Sequence, residues 1–115
     1  VTYSGGTKMS FMMEEIMKDE LKRIREVVSS YLREIKKLPK GSVQKKKIRG
    51  HVYPYLAVRE GSQVSYRYLG KLPSVKLEEL NKGIERRRQY RRLLAEAKKN
   101  KERLERMLYG KRRAV

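Results

Sequence analysis

Residues 40–72, KGSVQKKKIRGHVYPYLAVREGSQVSYRYLGKL, decide the fold. After Gly41 the run Ser42-Val43-Gln44-Lys45-Lys46-Lys47-Ile48 is followed by Arg49-Gly50. A second run, His51 to Arg59, ends at Glu60-Gly61-Ser62, and a third runs from Gln63 to Gly70. Alternating side chains, β-branched and aromatic residues and a glycine-containing turn at each join predict a three-stranded antiparallel meander. On the second strand Val52, Leu56 and Val58 share one face, and His51, Tyr53, Tyr55, Ala57 and Arg59 share the other. Pro54 has no N–H for the ladder, so its position is expected to face an unpaired side or a bulge.

Outward from the meander the period changes to that of helices. Upstream, a helix is expected over about Lys8 to Leu38. Met17, Ile24, Tyr31 and Leu38 recur every seven residues, and Leu21, Val28 and Ile35 interleave with them as a heptad seam. Met9, Met12 and Met13 suit adaptable packing. Glu14, Glu15, Asp19 and Glu20 favour the positive helix start, and Arg33, Lys36 and Lys37 the end. Pro39 and Gly41 stop the helix. Downstream, Pro73-Ser74 predicts a second helix to Tyr109, with Ser74 as N-cap and Glu78 and Glu79 near its start. Leu77, Leu80 and Ile84 form a short apolar face. Tyr90, Leu93, Leu94, Ala97, Leu104, Met107 and Leu108 form another, and Gly83 reads as a weak point or kink. The expected fold is α+β: an N-terminal heptad helix (1–39), a basic three-stranded meander (40–73), a basic C-terminal helix (74–109) and a basic tail (110–115). The helices pack either as a hairpin or as a dimerising coiled coil through Met17, Leu21, Ile24, Val28, Tyr31 and Ile35.

Charge assigns the segments different tasks. The chain has 115 residues, 31 Lys+Arg against 13 Asp+Glu, and a formal net charge of +18. Residues 1–38 carry eight basic and six acidic side chains, whereas residues 39–73 carry eight basic ones and only Glu60. Residues 74–109 carry twelve basic and six acidic, and the tail adds Lys111, Arg112 and Arg113. Such an excess repels itself and attracts polyanions. With no Cys, no Trp, one Phe and a single His, the composition excludes a disulfide scaffold, a thiolate or multi-His metal site and a large core. No apolar run approaches the ~18 residues that a membrane helix needs. Residues 1–13 lack the succession of a signal peptide. The expected location is cytoplasmic, with the nucleoid or the ribosome. Val1 read as a GTG start suggests a prokaryotic gene, and abundant Lys, Arg and Glu suit a thermophile.

The candidate contacts follow from that distribution. Lys45, Lys46, Lys47, Arg49, Arg59, Arg67 and Lys71 can neutralise phosphates. Tyr53, Tyr55, Tyr66 and Tyr68 can donate to phosphate or stack on an exposed base, and an antiparallel ribbon can enter a DNA major groove. The alternative for these tyrosines is cross-strand packing under a helix, with some on each face. The Lys run can equally be a solvated edge that discourages aggregation. Arg87 and Arg91, like Arg88 and Arg92, lie one turn apart and form a cationic strip. Arg112 and Arg113 suit non-specific phosphate contact. His51 reads as an incidental surface residue. The Gly41-Ser42 pair lacks phosphate-loop spacing, and no paired carboxylates occur in the basic sheet, so no catalytic residue and no cofactor is assigned.

The succession of Gly-Ser start, basic strand, Gly, Tyr-x-Tyr strand, Arg-Glu-Gly and Tyr-Leu-Gly-Lys over residues 40–72 resembles small uncharacterised archaeal and bacterial proteins. Similar stretches stand near the start of some insertion-sequence transposases. Three strands followed by a helix are also similar to the arm-type DNA-binding domain of tyrosine recombinases. That resemblance implies a sheet in the major groove, with Lys45, Lys47, Tyr53, Tyr55, Arg59 and Arg67 toward DNA. The added heptad helix and the lack of a catalytic recombinase domain depart from it.

The leading expectation is a non-enzymatic nucleic-acid-binding protein, with DNA slightly ahead of RNA. A ribosomal or other ribonucleoprotein component that binds rRNA is the nearest rival. A coiled-coil module for an acidic protein partner is the third.

Overall fold

The computed structural model describes residues 10–110, in the order α1 (Phe11–Lys37), β1 (Ser42–Ile48), β2 (His51–Glu60), β3 (Gln63–Tyr68) and α2 (Ser74–Tyr109). The expected α+β layout of helix, three-stranded antiparallel meander and helix is present, with strand order β1-β2-β3. Met9, Lys111, Arg112 and Arg113 lie outside the described residues. The chain divides into two compact units, Arg33–Arg91 and Val1–Leu32 with Arg92–Val115, so the division falls within both helices rather than at the ends of the sheet.

Local chemistry sets the element ends. Ser10 caps α1: its hydroxyl accepts from the Met13 N–H at 3.2 Å and its carbonyl from the Glu14 N–H at 3.0 Å. The described helix begins at Phe11, and the expected start near Lys8 lies outside the described residues. The start of α2 is also shifted. Pro73 O accepts the Leu77 N–H at 3.0 Å, which places Pro73 at the cap and Ser74 in the first turn. Glu78 and Glu79 consequently fall beyond that turn, which contains no acid. Gly110, with φ 77°, closes α2 through its N–H to Arg106 O at 2.8 Å.

In the unit Arg33–Arg91 the meander is built from two tight turns. Ile48 pairs with His51, and the intervening Arg49 and Gly50 both have positive φ (52° and 80°), as a type I′ turn requires. Glu60 pairs with Gln63 across Gly61, whose φ is 63°. Pro54 sits in the central strand without breaking it. Its carbonyl accepts the Leu69 N–H at 3.0 Å. The N and C=O of one strand residue point the same way, so the missing donor falls on the Leu69 side, just past the end of β3 at Tyr68.

One sheet face is apolar and covered. Leu56, Leu69 and Ile84 form its buried core, flanked by Val43, Val58, Leu77 and Leu80. Thus α2 packs through its expected Leu77-Leu80-Ile84 stripe onto the Leu56 and Val58 face. Gly83 is not a kink, because α2 is continuous through it. A Cβ at that position would stand 2.7 Å from Pro39 Cγ and 2.9 Å from Pro39 Cδ, so the missing side chain gives the proline ring its space.

In the other unit the N-terminal part of α1 lies beside the C-terminal part of α2. Leu21 and Ile24 are buried, and the Arg25 guanidinium meets the Glu105 carboxylate at 3.2 Å. Ile24, Val27 and Tyr31 share an open groove with Leu93, Ala97 and Leu104. Every expected α1 seam residue, from Met17 to Leu38, is buried or half-buried. The α2 pattern needs correction. Besides Leu77, Ile84 and Glu105, its covered residues are Leu80, Gly83, Arg87, Tyr90, Leu94, Ala97, Lys101, Leu104 and Leu108, which alternate by three and four, whereas Leu93 and Met107 are exposed. Among the described residues no helix is long and apolar enough to cross a membrane.

Candidate nucleic-acid interface

The pleat sorts the meander's side chains into two sets, and the register fixes each. Lys46 lies opposite Tyr53, Tyr55 opposite Tyr68, Ala57 opposite Tyr66 and Arg59 opposite Val64. Directly paired residues project from the same face, so all four sheet tyrosines, Lys46, Arg59 and His51 share the face that α2 does not cover. The expectation of tyrosines on both faces is overturned: the two-residue turns pair odd positions of β2 with even positions of β1 and β3, which brings all four sheet tyrosines to one face.

The face forms a continuous cluster. The Tyr55 and Tyr68 rings are 5.4 Å apart at 47°, the Tyr53 and Tyr68 rings 6.1 Å apart at 56°, and His51 stands 6.4 Å from Tyr53. Lys46 crosses from β1 and sets its Nζ 4.5 Å from the centre of the Tyr66 ring and 5.2 Å from that of Tyr55, within cation–π range. Tyr66 and Tyr68 remain 50% and 52% exposed, and Tyr53 and Tyr55 are half-buried. Ala57, opposite Tyr66, is buried at the foot of the cluster.

The other basic candidates fall elsewhere. Lys45 pairs with Pro54, Lys47 with Val52 and Arg67 with Leu56, so these three project from the helix-packed side, exposed at its margins. Arg49 stands at the β1–β2 turn and Lys71 just after β3, both exposed. The contact set implied by the recombinase resemblance is therefore split, with Tyr53, Tyr55 and Arg59 on one face and Lys45, Lys47 and Arg67 on the other. Arg88 and Arg91 are exposed on α2, and Arg88 leans on Glu85 at 3.6 Å. Arg87 is half-buried on the packed side of α2, and Arg92 belongs to the other unit.

Charge on the tyrosine face is one-sided. Glu60 pairs with Gln63 and has the parity of Leu56, so it projects from the opposite face. Among the described residues none of the basic side chains from Lys45 to Lys71 has an ion-pair partner; the ion pairs present lie on the helices. Two members of the face, Gln44 and His51, were not chosen as contacts from sequence. Their shared parity with Lys46 and Tyr53 was the available signal.

No protein-family model, curated protein or solved structure matches the chain.

Proposed function

We propose that this chain is a non-enzymatic nucleic-acid-binding protein that holds its ligand on the uncovered face of the meander. The observation that carries this reading is the gathering of four tyrosines and Lys46 on a face with no acidic side chain. Tyrosine supplies a flat apolar ring and a hydroxyl donor, and unpaired cations attract phosphate. Arg59 on the same face extends the positive field, as do Arg49 at the β1–β2 turn, Lys71 after β3, and Lys45, Lys47 and Arg67 on the other side of the thin sheet. DNA ranks ahead of RNA through the resemblance to arm-type sheets, and the protein would act at the nucleoid. An rRNA-binding component of the ribosome is the competing outcome.

The test is affinity for duplex DNA, single-stranded DNA and structured RNA over a range of salt. Seven basic side chains, Lys45 to Lys47, Arg49, Arg59, Arg67 and Lys71, set an upper limit of about six on the slope of log affinity against log salt for B-DNA. Replacing Lys46, the lysine of the run that lies on this face, by Gln is expected to lower that slope by about one. Weak binding to every polymer, or affinity that ignores salt, refutes the proposal.

A further inference from the structure

We infer that the tyrosine face takes unpaired bases, so that its ligand is a single strand or the looped-out segment of a folded nucleic acid. The inference rests on the proposed function and narrows it.

A duplex presents phosphates and base edges and hides the flat faces of its bases. Reading edges in a groove relies on bidentate groups such as Arg, Asn and Gln. On this face Gln44 stands on the edge strand β1 and Arg59 toward the far end of β2, while the centre holds Tyr53, Tyr55, Tyr66, Tyr68 and Lys46. The chemistry at the centre is that of a stacking platform, which accepts any base because every base has a flat π-face.

The geometry leaves those rings usable. Their mutual tilts of 47° and 56° mean that neighbours do not cover one another face to face. Ring separations of 5.4 Å and 6.1 Å are somewhat less than twice the rise of about 3.4 Å between stacked bases of a duplex strand. Bases on adjacent rings are therefore those of an extended, unstacked strand. The Lys46 ammonium lies over the Tyr66 and Tyr55 rings, 4.5 Å and 5.2 Å from their centres, so a base that stacks on the covered side of either ring displaces it toward the phosphates of the strand.

The test compares a labelled single-stranded DNA of mixed sequence, the same sequence as RNA, and the annealed DNA duplex, all at one salt concentration. The single strands are expected to bind at least tenfold more tightly than the duplex, and the DNA and RNA arms distinguish the source of the bases. Tyr66→Ala and Tyr68→Ala are each expected to lose about tenfold in single-strand affinity. Tyr66→Phe and Tyr68→Phe are expected to retain affinity, because stacking uses the ring and not the hydroxyl. The chain has no Trp and eight Tyr, so stacking on wild-type protein is also read as quenching of tyrosine emission by up to about half. Equal or tighter duplex binding, loss of affinity in the Phe variants, or unquenched emission at saturation overturns the inference while nucleic-acid binding stands. Binding to none of the three polymers overturns both readings.

Discussion

Gly83→Ala separates two opposing effects in α2. Alanine inside a helix is favoured over glycine by about 1 kcal/mol, so propensity alone predicts a more stable protein. The new Cβ, however, would stand 2.7 Å and 2.9 Å from two carbons of the Pro39 ring. Carbon contacts prefer about 3.5–4.0 Å, so the ring must retreat by roughly 1 Å. It has little freedom to do so. Its φ is fixed by the pyrrolidine ring, and two residues later Gly41 adopts φ 114° with its Cα wedged against the Ala57 carbonyl, where a Cβ would stand at 2.5 Å. Overpacking of this kind costs about 1–3 kcal/mol, which exceeds the propensity gain and leaves a net loss of about 1 kcal/mol. Thermal unfolding followed by circular dichroism is expected to show Tm lower by about 4–8 °C. Removing the ring should reverse the sign, so Pro39→Ala with Gly83→Ala should be more stable than Pro39→Ala alone. A higher Tm for Gly83→Ala in the wild-type background would refute the close-approach account.

Three further outcomes are expected. Leu21 is 1% exposed, so Leu21→Ala should cost about 2–5 kcal/mol in urea unfolding, whereas Ile16→Ala, at a 62% exposed position on the same helix, should change stability by less than about 0.5 kcal/mol. The Arg23 guanidinium donates to both oxygens of Glu20 (2.8 Å and 2.7 Å), which holds that carboxyl below its ordinary value. A lowered folded-state value stabilises above the unfolded carboxylate range and is lost as pH falls through the folded value, so the small stability difference between wild type and Glu20→Gln should vanish on acidification. Within the Lys run, Lys46→Gln should weaken nucleic-acid binding more than Lys45→Gln or Lys47→Gln, and equal losses in titrations at fixed salt would count against the tyrosine face as the contact surface.

The meander was legible because its signals are local. Turn residues at two fixed joins and alternation along β2 define both strand pairing and face, and the α1 seam is an uninterrupted heptad. The second helix was harder for a physical reason. Its covered side contains Arg87 and Lys101, whose long aliphatic stems can lie along a packed surface while their charged ends reach solvent. Those residues break the apolar pattern and disguise a regular three-four alternation, which drew Leu93 and Met107 wrongly into the stripe. Gly83 was misread for a different reason. A glycine in a helix looks like a weakness until its neighbour in space is known, and that neighbour, Pro39, lies in another element.

The Lys run shows why composition located the charge but not the site. Lys45, Lys46 and Lys47 are identical in type and adjacent in sequence, yet the pleat sends the outer two to the helix-packed side and only the middle one among the tyrosines. A period of two means that no consecutive basic run on a strand can act on one surface. The decisive pattern was the face shared by Lys46, Tyr53, Tyr55, Tyr66 and Tyr68, which becomes visible only when the two turns are given their lengths. With two-residue turns at Arg49-Gly50 and Gly61-Ser62, all five fall on one face. A turn that shifted the register by one residue would have carried Tyr66 and Tyr68 to the covered side and broken the cluster. The proposed binding surface thus depends on the backbone conformation at Gly50 and Gly61 as directly as on any side chain that would touch a ligand.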